Sequence, residues 1–252
     1  MSIISKKSFI LLFAIVLLAI YCQVALALTG KEIIDKSQEV TEPDSATSTV
    51  TMLIYGGSKV VEKEFEIMSK KYGENSAKVL ISFKKPTQIK LLTHMNEGAE
   101  DDQWLSLSSG KIKRITASGK DKSFVNSHFT YEDLSSRNDD DYNYELIGSE
   151  TVNGDECHKV TAVKKEAGGV YDKAILYVRK SDYVVMKVEL FKKGALFKYL
   201  ENFDVRDISG IKTPFKIVMT MADGAGKTEL LIKKVQYNVP LEDNLFNKEA
   251  LR

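Results

Sequence analysis

Cysteine is nearly absent from this chain: there are two, Cys22 and Cys157, and Cys22 lies in an apolar N-terminal run. Beyond that run no internal disulfide is possible, so stability must come from a buried core. An excess of either charge is missing too. The 36 basic and 35 acidic residues are interspersed, for a formal charge of +1 with the three histidines neutral. Such a balance gives no basis for gripping a phosphate backbone, and no nucleic-acid partner is expected. Only four prolines occur, and no Pro- or Gly-rich stretch marks a linker. Repeats and low-complexity tracts are absent as well, which favours one domain.

Catalytic and metal-binding motifs are also missing. No G-x-S-x-G elbow occurs, and no serine has a motif-level link to a histidine and a carboxylate. Cys157 and His158 are adjacent, so on a strand they point to opposite faces and cannot form a thiolate–imidazole pair. His94, His128 and His158 lack metal-ligand spacing. The acidic runs Glu100-Asp101-Asp102 and Asp139-Asp140-Asp141 lack the alternating oxygens and central glycine of a calcium loop. Gly226-Lys227-Thr228 resembles the end of a phosphate-binding loop, but Met221 stands where that motif needs its first glycine. The chain is therefore read as a non-enzyme without cofactor or metal.

What the chain does have begins at its N-terminus. Lys6 and Lys7 precede an unbroken apolar run over residues 9–21, and Ala25-Leu26-Ala27 supplies a small-x-small cut site. Residues 1–27 are expected to be a cleavable signal peptide, leaving a mature domain over residues 28–252. The rival reading is an uncleaved anchor, since apolar character continues to Leu28 with only Gln23 interrupting it. Either way the domain is placed outside the cytoplasm.

Thr29 is a plausible N-cap for a helix to about Val40, with Ile33 and Ile34 on its apolar side. From Ala46 the period becomes two. Val50, Met52 and Ile54 alternate with Thr49 and Thr51, and after Gly56-Gly57 come Val61, Phe65 and Ile67 opposite Glu62, Glu64 and Glu66. Ile81, Phe83 and Leu91 continue one dry face. Residues 121–137 break the alternation and read as a loop carrying a short helix. Strands then resume over residues 142–237, separated by turns such as Asn153-Gly154 and Lys193-Gly194. Residues 244–251 have the character of a short closing helix. Antiparallel strands in sequence, with few helices, predict one large, strongly curved sheet or barrel.

Three blocks carry a resemblance. They are Asp102-Gln103-Trp104-Leu105 followed by Lys113-Arg114-Ile115, then Ser123-Phe124-Val125-Asn126-Ser127-His128-Phe129-Thr130-Tyr131-Glu132-Asp133-Leu134, then Tyr177 to Lys187 with Ile208-Ser209-Gly210-Ile211-Lys212-Thr213-Pro214 and Asn238 to Leu245. Together they are similar to the outer-membrane lipoprotein-sorting protein family, the LolA-like proteins of the bacterial periplasm, which implies a periplasmic location. Departures are Ser108-Ser109-Gly110, where a more apolar turn is expected, and His128, where relatives tend to be acidic. The resemblance implies a mainly β fold, a half-open antiparallel β-barrel of about eleven to twelve strands with a helical lid. It also implies a carrier for lipid or lipoprotein acyl chains, moving them toward the outer membrane with transient membrane contact and an RND-type transporter as partner. The alternative function is an envelope lipid sensor that regulates a protein partner. The expected cavity lining or lid comprises Val50, Met52, Ile54, Phe65, Ile67, Ile81, Phe83, Leu91, Trp104, Phe124, Phe129 and Tyr131. For any one of these, plain core packing is the competing reading.

Overall fold

The computed structural model describes residues 28–252 except 74, 75, 137 and 167. The expected signal peptide lies outside the described residues. Thr29 starts the single α-helix among them, α1 (Gly30–Glu39). Its hydroxyl accepts from the Glu32 amide, and the Glu32 carboxylate accepts from the Thr29 amide in return. This reciprocal box satisfies two of the orphan donors of the first turn.

Thirteen strands follow: β1 (Ser45–Gly56), β2 (Lys59–Lys71), β3 (Ala77–Lys85), β4 (Lys90–Met95), β5 (Asp102–Ser106), β6 (Ile112–Ile115), β7 (Tyr142–Val152), β8 (Asp155–Lys164), β9 (Lys173–Arg179), β10 (Val185–Lys192), β11 (Ala195–Ile208), β12 (Ile211–Met221) and β13 (Lys227–Tyr237). They form one antiparallel sheet in the order β6-β5-β4-β3-β2-β1-β13-β12-β11-β10-β9-β8-β7. The two ends, β6 and β7, do not pair, so the barrel stays half open. The count exceeds the expected eleven to twelve by the short strands, which pair fully with their neighbours despite their length.

Register decides which side chains share a face. Val50 stands opposite Phe65 and Ile232, Phe65 opposite Phe83, and Ile81 opposite Leu91, which in turn meets Leu105. On the other wing, Met219 meets Leu200, Val188 meets Leu176, and Leu176 meets Val160. One continuous inner face therefore runs across the sheet. Helix α1 covers the β7–β9 part of it, burying Ile33 and Ile34 against Val160, Leu176 and Val178. The outer face of β3–β5 is covered separately by two 3-10 turns, Asp243–Phe246 and Lys248–Leu251, which bury Phe246 and Leu251. The single closing helix expected there is thus two short turns.

Gly30 permits the closest approach between helix and sheet. A Cβ at this position would sit 2.8 Å from the Glu145 amide nitrogen and 2.9 Å from the Tyr144 carbonyl carbon. Backbone cannot yield as a flexible side chain does. Gly30→Ala should lower stability by about 1–3 kcal/mol in urea titration; an unchanged midpoint would show that α1 is not seated so closely.

Candidate functional site

The non-periodic segment between β6 and β7 fills the interior of the half-barrel. Ser123 and Thr130 pair as a miniature hairpin whose turn is Val125-Asn126, both at positive φ (48° and 61°). That geometry suits Gly or Asn, and a β-branched residue there stores about 1–3 kcal/mol of strain. The segment ends in a 3-10 turn, Glu132–Leu134, where the sequence suggested a short helix. We refer to residues 120–136 as the plug.

The plug's aromatics sit among the expected lining. Phe124 and Tyr131 are buried in one cluster with Val50, Met52, Ile54, Phe65, Ile81, Phe83, Leu91 and Leu105. Ile67 packs at its border, partly buried. Ring centroids are 5.7 Å apart for Phe83–Phe124, 5.6 Å for Phe124–Tyr131 and 4.8 Å for Phe65–Phe83, the tilted and edge contacts that aromatic quadrupoles favour. Phe129 joins the adjoining cluster with Ile33, Ile34 and Met219. Trp104 does not join them. Strand alternation places it on the opposite face from Leu105, against Leu80, Leu92 and Phe246, with its ring edge on His94 and Lys248 above it.

Polar contacts hold the plug in place. Lys198 of β11 is fully buried, and its Nζ lies 2.5 Å from Asp133 Oδ2 and 3.0 Å from the His128 carbonyl. Asp133 also accepts from the Thr130 amide at 2.6 Å and the Tyr171 hydroxyl at 2.8 Å. Burial pulls the Lys198 pKa below its ordinary value, against the raising effect of the Asp133 carboxylate. Burial and the same carboxylate push the Tyr171 phenol up. Elsewhere Gln103 Nε2 donates to the carbonyls of Tyr131 and Leu134, and Asp101 accepts from the Ser136 amide and hydroxyl. At the plug tip Lys63 donates to the Val125 carbonyl, and Thr228 Oγ1 accepts from the His128 amide at 3.0 Å.

Lys198 and Tyr171 were not singled out from the sequence, and Gln103 was named only within a family block. Gly226-Lys227-Thr228 turns out to serve the plug: Thr228 bonds His128, and a Cβ at Gly226 would meet the Tyr55 carbonyl at 2.3 Å and His128 Nε2 at 2.9 Å. Asp133 stood inside a family block without a role assigned. No signal in a single sequence marks Lys198, because Leu196-Phe197-Lys198-Tyr199 sets one lysine among apolar residues with no two-residue period.

A half-open antiparallel barrel, wrapped on a helix and filled by an inserted hairpin, is a LolA-like fold. Comparisons with known proteins agree. A family model described as "-like: Uncharacterized protein" matches residues 75–252, and the chain belongs to that family. It is similar to a DUF1329 family protein from Desulfovibrio piger, at 26% identity and TM-score 0.84 over 88% of this chain and 98% of the other. It is also similar to a putative outer membrane lipoprotein-sorting protein domain from Vibrio parahaemolyticus, at 27% identity and TM-score 0.83 over 88% and 97%. A LolA superfamily protein from Nitrosomonas europaea shares the fold at 20% identity and TM-score 0.71 over 89% and 100%. No curated protein matches. The resemblance to outer-membrane lipoprotein-sorting proteins therefore stands.

Two outcomes follow from the plug contacts. Lys198→Met or Asp133→Asn should each cost about 3–5 kcal/mol, because the remaining partner stays buried without its counter-charge. The double change Lys198→Met/Asp133→Asn should recover much of that loss, as read from urea midpoints; additive losses would show that the pair is not coupled. Separately, His94, His128 and His158 all have pKa values lowered below 6.5, each chiefly by burial, and His128 is further repelled by Lys198. The unfolded chain thus binds protons more readily. Stability is fully present above about pH 6.5 and falls as pH drops through it toward the folded values. Melting temperature should be lower at pH 5.5 than at 7.5, and His128→Gln should reduce that difference.

Proposed function

We propose that this protein is a periplasmic, non-enzymatic carrier that takes a lipid or lipoprotein acyl chain into the interior now held by the plug. The reading is supported by one observation above all: the apolar face is filled by a segment tied down through specific polar contacts instead of by the sheet's own closure. Val50, Met52, Ile54, Phe65, Ile67, Ile81, Phe83 and Leu91 would contact the chain, while Phe124, Phe129 and Tyr131 leave with the lid.

Magnitudes make the exchange plausible. Burying about 14 methylenes is worth roughly 11 kcal/mol at about 0.8 kcal/mol each, or some 450 Å² at 25 cal/mol per Å². Two or three aromatic side chains bury about 150–250 Å² apiece. One acyl chain thus replaces the plug's aromatics at nearly equal area, so neither state is a trap. Strain at Val125 and the desolvation of Lys198 and Asp133 lower the cost of release.

Transient membrane contact fits the hairpin between β1 and β2. Val60 and Val61 are 56% and 46% exposed there, and Lys63 of the same hairpin holds the plug tip. The further steps of this reading are transfer toward the outer membrane and loading with the help of an RND-type inner-membrane transporter.

Organic extraction of the protein isolated from its envelope, followed by mass spectrometry, should yield a bound acylated amphiphile. Asp133→Asn should speed uptake of a fluorescent fatty acid by weakening the plug's hold. A protein that neither retains nor takes up any amphiphile, or one that instead retains a stoichiometric signalling partner, would rule the carrier out.

A further inference from the structure

Beside the plug's base lies a cleft of about 650 Å³. This volume falls within the roughly 300–1,000 Å³ typical of small-ligand sites. Its character is the opposite of the interior's. Glu100 comes from the β4–β5 turn, Lys120 from the start of the plug, Lys164 from β8 and Lys192 from β10, and Asp101, Asp121 and Asp141 line the cleft as well. Glu132 contributes from the plug itself. The cleft therefore spans the gap between the two wings of the open sheet.

Its charges are only partly neutralised internally. Lys192 leans on Asp121 at 3.7 Å, whereas Lys120, Lys164, Glu100 and Glu132 form no ion pair among the described residues. Gly169 lies against this group at φ 84°. A Cβ there would stand 3.2 Å from Lys164 Nζ and 3.7 Å from Glu132 Oε1, so an ammonium and a carboxylate face the same bare stretch of wall. Cationic and anionic side chains converging on one open volume suit a ligand that carries both charges.

We propose that this cleft binds the phosphate- and amine-bearing headgroup of the acylated cargo, a phosphoethanolamine group being the simplest member of that class. Lys120, Lys164 and Lys192 take the phosphate, and Glu132 and Glu100 take the ammonium. The assignment rests on the carrier reading above. It also adds a consequence. Glu132 directly precedes Asp133, whose carboxylate is bonded to Lys198. A headgroup that draws Glu132 into the cleft acts on the residue next to that bond, so headgroup capture and plug release are coupled.

Calorimetry with three probes tests this: lysophosphatidylethanolamine, the free fatty acid of the same chain length, and water-soluble glycerophosphoethanolamine. Lys120→Ala/Lys164→Ala should weaken lysolipid binding by about tenfold or more while leaving fatty-acid affinity within about twofold, and Glu132→Gln should do the same more mildly. The altered side chains are half-buried, and circular dichroism verifies the folding of both variants. Parallel losses for both lipids, or an unchanged lysolipid affinity, would overturn the headgroup site while leaving the carrier standing. Binding of neither lipid by the unaltered protein would sink both. Glycerophosphoethanolamine binding as tightly as the lysolipid would overturn the lipid assignment in favour of a soluble phosphate ester.

Discussion

A sheet of thirteen strands with one apolar face cannot leave that face wet, and this sheet neither closes on itself nor meets a second sheet. Every other feature answers that constraint. Helix α1 covers the wing built from β7, β8 and β9, and the plug covers the wing built from β1 to β5. The difference between the two covers matters for function. The helix is capped at its N-terminus and seated against backbone through Gly30. The plug is largely irregular chain with a strained turn, and its own backbone polar groups must be satisfied by side chains reaching in from the sheet.

That need explains why polar residues stand on the dry face at all. Gln103, Thr228 and Lys198 are each fully buried, and each spends its hydrogen-bonding capacity on the plug. Removing the plug would leave them without partners unless water or a guest's polar group took its place. Satisfaction is not complete even now: Gln103 Oε1 is buried without a partner. A buried ion pair also contributes little net stability compared with well-packed apolar residues. The plug is accordingly held by specificity more than by depth of energy, which is the property a removable cover needs. The polar cleft beside it opens on the same segment, so the wet and dry sites share Glu132 and Asp133 as neighbours in the chain.

The sequence alone determined a good deal of this. Thr29 announced the helix start, and the two-residue period of Val50, Met52 and Ile54, then Phe65 and Ile67, assigned each strand a dry side because alternation is a local property of extended chain. That residues from Val50 to Leu91 share one buried face was legible on those grounds. Which residues occupy that face was left to tertiary structure. Phe124, Phe129 and Tyr131 belong to a segment with no period, and only the folded sheet decides that it turns inward. Trp104 and Leu105 are neighbours that are both buried, since β5 is covered on both faces, and no pattern in a single strand tells which of them faces inward. Lys198 reads as a solvated lysine until β10, β12 and the plug surround it. Local periodicity is written in the chain, but pairing partners far apart in sequence set what each face meets.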